Sequence, residues 1–252
     1  MIRLSIRPVL GLLLTIIAGG LALEPAARGD NYPWTYLVPE NDSRDADMRS
    51  FDEMDSKELV SFMNDNENIF DRRLIWSQAP IKNLLKTVTP FCELRFDAVN
   101  PLVLTPLEKA VLREYFARGG FLLIYIDCYP YPQEQFWKVK EWPLIDFLTK
   151  ELPAASPEFT FTRITDAHPL FHEWYKTETA DPVKRELRDN PNTPNRLLIS
   201  YHQHPCAFVM GRYSYDDGNE WIPLPRPFEA VGSMDPKAYW MLVNIYVYAM
   251  GH

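Results

Sequence analysis

The sequence predicts an α/β protein with a mainly parallel central sheet that is covered by helices on both faces. Three observations predict this fold class. Residues 105–108 read Thr-Pro-Leu-Glu, which is a capping box with proline at the first helical position. Gly119 and Gly120 supply the stop for that helix. Residues 121–126 are then apolar at every position, as expected of a strand that is buried on both faces.

The capped helix has one apolar face, and an apolar run at 101–104 precedes it. The side chains of that face are Leu107, Val111, Leu112, Tyr115 and Phe116. A strand, a helix and a buried strand in succession predict a βαβ unit, whose two strands are parallel. A parallel sheet between two layers of helices is therefore the simplest architecture for this chain.

Shorter patterns predict the other elements. Strands are predicted at 73–77, 93–96, 159–164 and 197–202, and helices at 56–64, 81–88, 142–152 and 236–250. The last helix is almost wholly apolar and is therefore expected to be buried, with Asn244 as a satisfied buried amide. Residues 176–195 and 213–227 are polar and rich in proline, which is typical of exposed loops.

The N-terminus has the layout of a bacterial secretory signal peptide. Arg3 and Arg7 precede a nearly unbroken apolar run at 9–23, and Gly20-Leu21-Ala22 offers a small-x-small cleavage site. We therefore expect residues 1–22 to be a signal peptide and the protein to be periplasmic or extracellular. The alternative is that the run is kept as a membrane anchor, although it is shorter than the roughly 20 residues of a spanning helix.

Two further regions follow the predicted signal. Residues 23–69 are polar and broken by prolines, so an irregular N-terminal extension is expected there, with Trp34 and Leu37 among the side chains that dock on the body. Residues 70–252 then form the α/β domain. No internal repeat and no second domain boundary is visible.

Charge and composition exclude several classes of function. The net charge is −8, and it becomes −10 when Arg3 and Arg7 leave with the signal. Such a chain is a poor candidate for binding nucleic acids or anionic membranes. Only 10 glycines occur beside 22 prolines, and no glycine-based dinucleotide loop, phosphate loop or hydrolase elbow is present. No bound cofactor is predicted.

The three cysteines, Cys92, Cys128 and Cys206, allow at most one intramolecular disulfide. A domain of this size buries enough surface to fold without one, so the absence of a structural disulfide is favoured. Cys128 is also a weak candidate for a nucleophile, because its bulky neighbours in Ile-Asp-Cys-Tyr-Pro do not suit a strained elbow with backbone oxyanion donors.

Asp127 is the first candidate site residue. It follows the buried strand at 121–126, and in open parallel sheets ligands bind outside the carboxyl ends of the strands. A carboxylate at that position binds a hydroxyl, orients a histidine or holds a metal; its structural alternative is to cap a turn. We expect Tyr129, His168, His202 and Trp221 to line the same cleft.

Four histidines fall in two short clusters. His202, His204 and Cys206 alternate along the chain, so in an extended strand they share a face and form a candidate zinc site. Pro205 interrupts this pattern, and partly buried strand-end histidines are the commoner outcome. His168 and His172 share a face only in a helix, and Asp-Ala-His-Pro at 166–169 favours a turn instead.

The acidic segment 216–221 is a candidate for binding calcium or a sugar, although a hairpin turn with a solvated tip is the favoured interpretation. It reads Asp-Asp-Gly-Asn-Glu-Trp.

Several stretches together resemble the bacterial domain of unknown function 4159 family. They are 104–108 (Leu-Thr-Pro-Leu-Glu), 112–116 (Leu-Arg-Glu-Tyr-Phe), 119–123 (Gly-Gly-Phe-Leu-Leu), Asp127, 166–171 (Asp-Ala-His-Pro-Leu-Phe), 217–221 (Asp-Gly-Asn-Glu-Trp) and 244–249 (Asn-Ile-Tyr-Val-Tyr-Ala). The resemblance implies a flavodoxin-like three-layer α/β/α domain, similar to class I glutamine amidotransferases and ThuA-like proteins. It implies no activity.

Three functional hypotheses remain open. The first is an exported, non-catalytic binding or scaffold module of the cell envelope that binds an envelope protein or a small ligand. The second is an envelope hydrolase or metal-dependent enzyme with Asp127 and His168 as base and orienting residue. The third is a partner in an envelope assembly that uses the loops at 129–132 and 213–227.

Overall fold

The computed structural model describes residues 31–42, 44, 46–65, 73–87, 89–97, 101–127, 142–165, 167–173, 196–212 and 237–251. The strands are β1 (Asn31–Val38), β2 (Arg73–Pro80), β3 (Phe91–Asp97), β4 (Phe121–Asp127), β5 (Phe159–Arg163), β6 (Leu197–Tyr201) and β7 (His204–Arg212). The α-helices are α1 (Ala46–Asp65), α2 (Pro106–Ala117), α3 and α4 (Lys237–Gly251), and α3 consists of Pro143–Asp146, a π-helical Phe147–Glu151 and Leu152–Ala155. Short 3₁₀ turns occupy Ile81–Lys86 and Pro169–Phe171.

The described strands form one mixed sheet in the order β2-β1-β3-β4-β7-β6-β5. Neighbouring strands from β2 to β7 are parallel, whereas β6 is antiparallel to both β7 and β5. The α/β class is therefore confirmed, and the sheet is partly antiparallel. β6 is antiparallel to β7 because only two residues, His202 and Gln203, connect the two strands. Both residues have positive φ, and a two-residue connection of this kind joins antiparallel strands.

Residues 31–65 differ from the irregular extension that we predicted over 23–69. They form β1, which lies between β2 and β3, and the 20-residue helix α1. Pro33 argues against an inner strand on sequence alone, but pairing with β3 begins only at Trp34. Trp34 and Leu37 are fully buried, so this segment is part of the core.

Two apolar clusters lie on opposite faces of the sheet. One contains Leu94, Leu122 and Val209 from the strands, packed against α2 and α3. The other contains Phe91, Leu123 and other strand residues, packed against α1 and α4. Helices therefore cover both faces, as predicted. None of the helices in the described part of the chain is long and apolar enough to cross a membrane.

The predicted βαβ unit is present, but its first strand is β3. Residues 101–104 have no regular structure. Instead, β3 pairs directly with β4 in parallel, and α2 belongs to the connection between these two strands. The capping box is confirmed: Glu108 N donates to Thr105 Oγ1, and Thr105 N donates to Glu108 Oε2. Within this helix Leu107 is exposed, contrary to our prediction, and Glu108 is buried in its place.

The two glycines after α2 have different roles. Gly119 has a φ of +84°, the left-handed conformation that ends the helix. At Gly120 an added Cβ would lie 2.1 Å from a ring carbon of Tyr115. The Tyr115 hydroxyl donates to the backbone at Pro90 or Phe121, so its ring is not free to move away.

Candidate functional site

The strand order reverses between β1 and β3. The chain passes from β1 to β2 on one side and then returns to place β3 on the other side of β1. The connections that leave the carboxyl ends of β1 and β3 therefore diverge, since α1 covers one face of the sheet and α2 covers the other. In open α/β sheets such a switch point is the usual ligand site.

A buried glutamate, Glu93, lies on β3 beside this switch point. Its Oε2 accepts hydrogen bonds from Trp34 Nε1 at 2.9 Å and from Ser56 Oγ at 2.7 Å. Its Oε1 accepts one from Arg95 Nε. Ser56 Oγ in turn accepts a hydrogen bond from Trp76 Nε1 at 3.0 Å. The carboxylate thus joins β1, α1 and β3, and three donors replace the water that it loses on burial.

Arg44, in the loop after β1, holds two further carboxylates. Its side chain donates to both oxygens of Asp42 and to Asp52 Oδ2 on α1. Asp52 Oδ1 also lies 3.7 Å from Arg95 Nη1. Both guanidinium groups are buried, and Arg95 lies over the ring of Tyr125, 5.3 Å from its centroid.

We call the five residues Asp42, Arg44, Asp52, Glu93 and Arg95 the switch-point ion cluster. They come from the β1 loop, α1 and β3 and form one connected network of opposite charges. Breaking such a network by removing one partner leaves a buried charge uncompensated, which is strongly destabilising. The cluster therefore ties the β1 loop, α1 and β3 together beside the switch point.

Three charged residues end adjacent strands at the carboxyl edge of the sheet, beside the ion cluster. Asp97 of β3 is in register with Asp127 of β4, and Asp127 is in register with Arg212 of β7. These three residues form one row across adjacent strands at the carboxyl edge of the sheet. Asp127 therefore occupies the strand end that the sequence predicted.

Titration of Asp42 should make the stability of the protein depend on pH. Burial alone raises the pKa of this carboxyl, but the hydrogen bonds and charge of Arg44 outweigh burial and hold the pKa below its ordinary value of 3.8. A lowered folded-state pKa stabilises the protein above pH 3.8, and this contribution is lost as the pH falls through the folded-state pKa.

We therefore expect Asp42→Asn to lower the free energy of unfolding at neutral pH and to lose this deficit in acid. Urea unfolding of both proteins, from neutral pH down to about pH 2, measures the difference. Asp146→Asn, which alters an exposed carboxyl paired with Lys150, is the control and should show little effect. An Asp42→Asn deficit of the same size at every pH would contradict this assignment.

His168 follows β5, which runs parallel to β4 and β7, so it stands at the same edge of the sheet as Asp127. Its Nδ1 accepts the Leu170 N–H at 3.2 Å and caps the 3₁₀ turn. Its ring also meets that of Tyr248, with centroids 5.5 Å apart. The predicted turn is thus present, and His172 follows it without sharing a helix face with His168.

Asn244 of α4 is hydrogen-bonded to this 3₁₀ turn. Its Nδ2 donates to the carbonyl of Phe171 at 2.7 Å, and the side chain is fully buried. The prediction of a satisfied buried amide is confirmed. The bond ties the turn that carries His168 to the helix that covers this face of the sheet.

His202 lies far from the predicted cleft. It occupies the turn between β6 and β7, at the edge where β4 and β7 begin. We expected it beside Asp127 because it follows a strand, but β6 is antiparallel and ends at the opposite edge. A strand end marks the ligand edge only for strands that run with the parallel set.

The candidate zinc ligands also do not come together. His202 and His204 are exposed, whereas Cys206 is buried and its thiol donates to Ile199 O at 3.5 Å. A β-bulge beside Ser200 shifts the pairing, so the alternation that we assumed is interrupted there. The described residues contain no group of three or more potential ligands placed to hold a metal.

Cys92 and Cys206 are buried free thiols. Burial raises the pKa of Cys92 to about 12 and also raises that of Cys206, so both stay protonated and unreactive at neutral pH. Cys128, Tyr129, Trp221, the acidic segment 216–221 and the loops at 129–132 and 213–227 lie outside the described residues.

Sequence reasoning missed the switch-point ion cluster. One signal was present: Glu93, Arg95 and Asp97 alternate along a predicted strand, and charges at every second position of an inner strand require partners. The partners Trp34, Asp52 and Ser56 lie 37 to 59 positions away in a segment that we predicted to be irregular, so their pairing was not visible.

One protein family matches most of the chain. It is described as a domain of unknown function (DUF4159), and the match covers residues 98–250. A comparison with curated proteins found no match. The matched region begins directly after β3, so β4, Asp127 and His168 lie inside it, whereas the switch-point ion cluster lies outside it.

Proposed function

We propose a function from the premise that this match supplies: the chain belongs to the DUF4159 family. In our proposal it is an exported binding module whose ligand contacts the carboxyl edge of the sheet near β1, β3 and β4. The ligand is a small polar molecule or a polar group on an envelope protein. Asp127 is the residue that we expect to contact it, and His168 lies at the same edge.

One observation carries the proposal: the row formed by Asp97, Asp127 and Arg212 begins at β3, one of the two strands that flank the switch point. Both signs of charge stand in that row, which suits a ligand with hydrogen-bond donors and acceptors. The nearby ion cluster consists of buried side chains of opposite charge that pair with one another. Such a network costs free energy to rearrange, and a preformed site lowers the ordering cost of binding.

The finer fold assignment supports the same edge. We infer a flavodoxin-like arrangement, because the strand order β2-β1-β3-β4 continues with β7 in the fifth position. Folds with that order bind ligands at the β1/β3 switch point. In this interpretation β6 and β5 extend the sheet beyond the common five strands.

Binding is favoured over catalysis by the surroundings of His168. A general base needs a ring nitrogen within reach of its substrate, and Nδ1 of His168 already accepts a backbone N–H. The ring also packs on Tyr248, which fits a structural role in the turn. We therefore rank the envelope hydrolase or metal-dependent enzyme second.

Export is part of the proposal and rests on the N-terminal pattern. Arg3, Arg7 and the apolar run at 9–23 support a signal peptide that is removed after Ala22. A binding module placed in the envelope meets cell-wall fragments, solutes and other envelope proteins. The acidic character of the mature chain disfavours nucleic acid as the ligand.

Native mass spectrometry of the protein purified from its own envelope fraction tests the proposal. We expect a bound mass in excess of the polypeptide, retained in Asp146→Asn and lost in Asp127→Asn. Asp146 is an exposed aspartate on α3, so its variant controls for loss of one carboxylate. An unliganded wild type, or an excess mass that both variants keep, would overturn the proposal.

A further inference from the structure

The two edge strands of the described sheet, β2 and β5, differ in whether their outer backbone groups have hydrogen-bond partners. At β2 the outer backbone groups of Leu74 are covered: the side-chain amide of Asn64, on α1, donates to Leu74 O at 2.9 Å and accepts from Leu74 N at 2.7 Å. One amide thus takes the place of a neighbouring strand. Natural proteins protect exposed edges by such devices, because an open edge pairs with other chains.

At the other edge, β5, no described residue covers the outer backbone in this way. His202 N donates to Glu158 O, and Ile164 N donates to Arg196 O, so even-numbered residues face β6. The N–H and C=O of Phe161, which is odd-numbered, therefore point away from the sheet. No described residue pairs with them. Residues 159–163 contain no proline and no bulge, and their one charged residue, Arg163, is the last of the strand.

The side chains at the centre of β5 are exposed as well. Phe161 is 50% exposed, and Thr160 and Thr162 are exposed beside it. Aromatic and β-branched residues are those that strands favour. Three successive exposed residues of these types, on an edge with open backbone groups, indicate a strand that receives a partner.

We propose that β5 pairs antiparallel with β5 of a second copy of this chain, about a two-fold axis at Phe161. The backbone N–H and C=O groups that point outward belong to odd-numbered residues. In a register centred on Phe161, these N–H and C=O groups of one copy face those of the other. That register places Thr160 against Thr162 of the second copy, and Phe161 against its own equivalent. Thr–Thr and aromatic pairs stabilise neighbouring strands.

The sequence symmetry is the reason for choosing a second copy as the partner. Thr-Phe-Thr reads the same in both directions, so one strand is complementary to itself when it is reversed. A two-fold interface requires this self-complementarity, whereas a foreign strand does not. The inference does not depend on the proposed ligand site, which lies at the carboxyl edge.

Sedimentation velocity of the mature protein over a wide dilution series tests the pairing. We expect the wild type to shift from one chain to two as the concentration rises. Phe161→Glu should sediment as one chain throughout, because two glutamates would face each other across the axis. Phe161→Pro should do the same, since it removes an outward N–H without breaking a bond to β6.

Ile75→Glu on β2 is the matched control, because Ile75 is 48% exposed on the protected edge. This variant should dimerise as the wild type does, and circular dichroism should show all four proteins folded. A wild type that stays a single chain at every concentration would overturn the proposal. So would a dimer that survives both Phe161 variants, or one that Ile75→Glu abolishes.

Discussion

A chain that begins at residue 98 will not fold. The family match starts there, but β1, β2, β3 and α1 precede it and complete the sheet. Leu94 packs in the cluster with Leu122, and Phe91 packs in the cluster with Leu123. Without β3, the apolar strand β4 would become an exposed edge and both clusters would open to water.

Thermal unfolding of 98–252 and of 31–252, followed by circular dichroism, checks this prediction. We expect a cooperative transition for 31–252 and none for 98–252, which should also aggregate. A cooperative transition of the shorter chain would show that the N-terminal strands are an accessory, and would refute our assignment of one fold that begins at β1.

Glu93→Gln should lower the free energy of unfolding by about 3–5 kcal/mol, the usual cost of breaking a buried ion pair. The substitution keeps the shape of the side chain but removes its charge. Arg95 then loses a buried counter-ion, and the new amide N–H group meets donors from Trp34, Ser56 or Arg95. The loss therefore exceeds that of a single neutral hydrogen bond.

Urea unfolding measures the effect, with Glu114→Gln as the control. Glu114 pairs with Arg118 one turn along α2, and both side chains are about half exposed. Such a pair contributes at most about 0.5 kcal/mol, so this variant should resemble the wild type. Similar unfolding free energies for both variants would contradict the role that we assign to the ion cluster.

The sequence predicted the helix and the second strand of the βαβ unit because their signals are local. The capping box at Thr105, the stop at Gly119 and the apolar strand after it all lie within about 25 positions. Asn244 differs, because its partner, the carbonyl of Phe171, lies 73 positions away, but its place in an apolar helix requires a hydrogen-bond partner. The helix and the strand were predictable because their signals lie close together in the sequence. Asn244 was predictable because any buried amide requires a hydrogen-bond partner, wherever that partner lies.

Long-range features were not predictable in the same way. β1 is an inner strand because it lies between β2 and β3. Its Pro33 argues against an inner strand when only the sequence is known. The error at His202 arose because a strand end does not reveal the direction of its strand. The ion cluster joins residues 42 to 95 across three elements, and only tertiary structure brings those charges together.

The central claim is that a ligand binds at the carboxyl edge of the sheet, beside the β1/β3 switch point. Hydrogen exchange of the mature protein, with and without the low-mass fraction of its own envelope extract, tests this claim most directly. We predict that the extract slows exchange in peptides covering 38–44, 95–100 and 125–130, and that Asp127→Asn abolishes the effect. Protection confined to the opposite edge around His202, or none at all, would contradict the account.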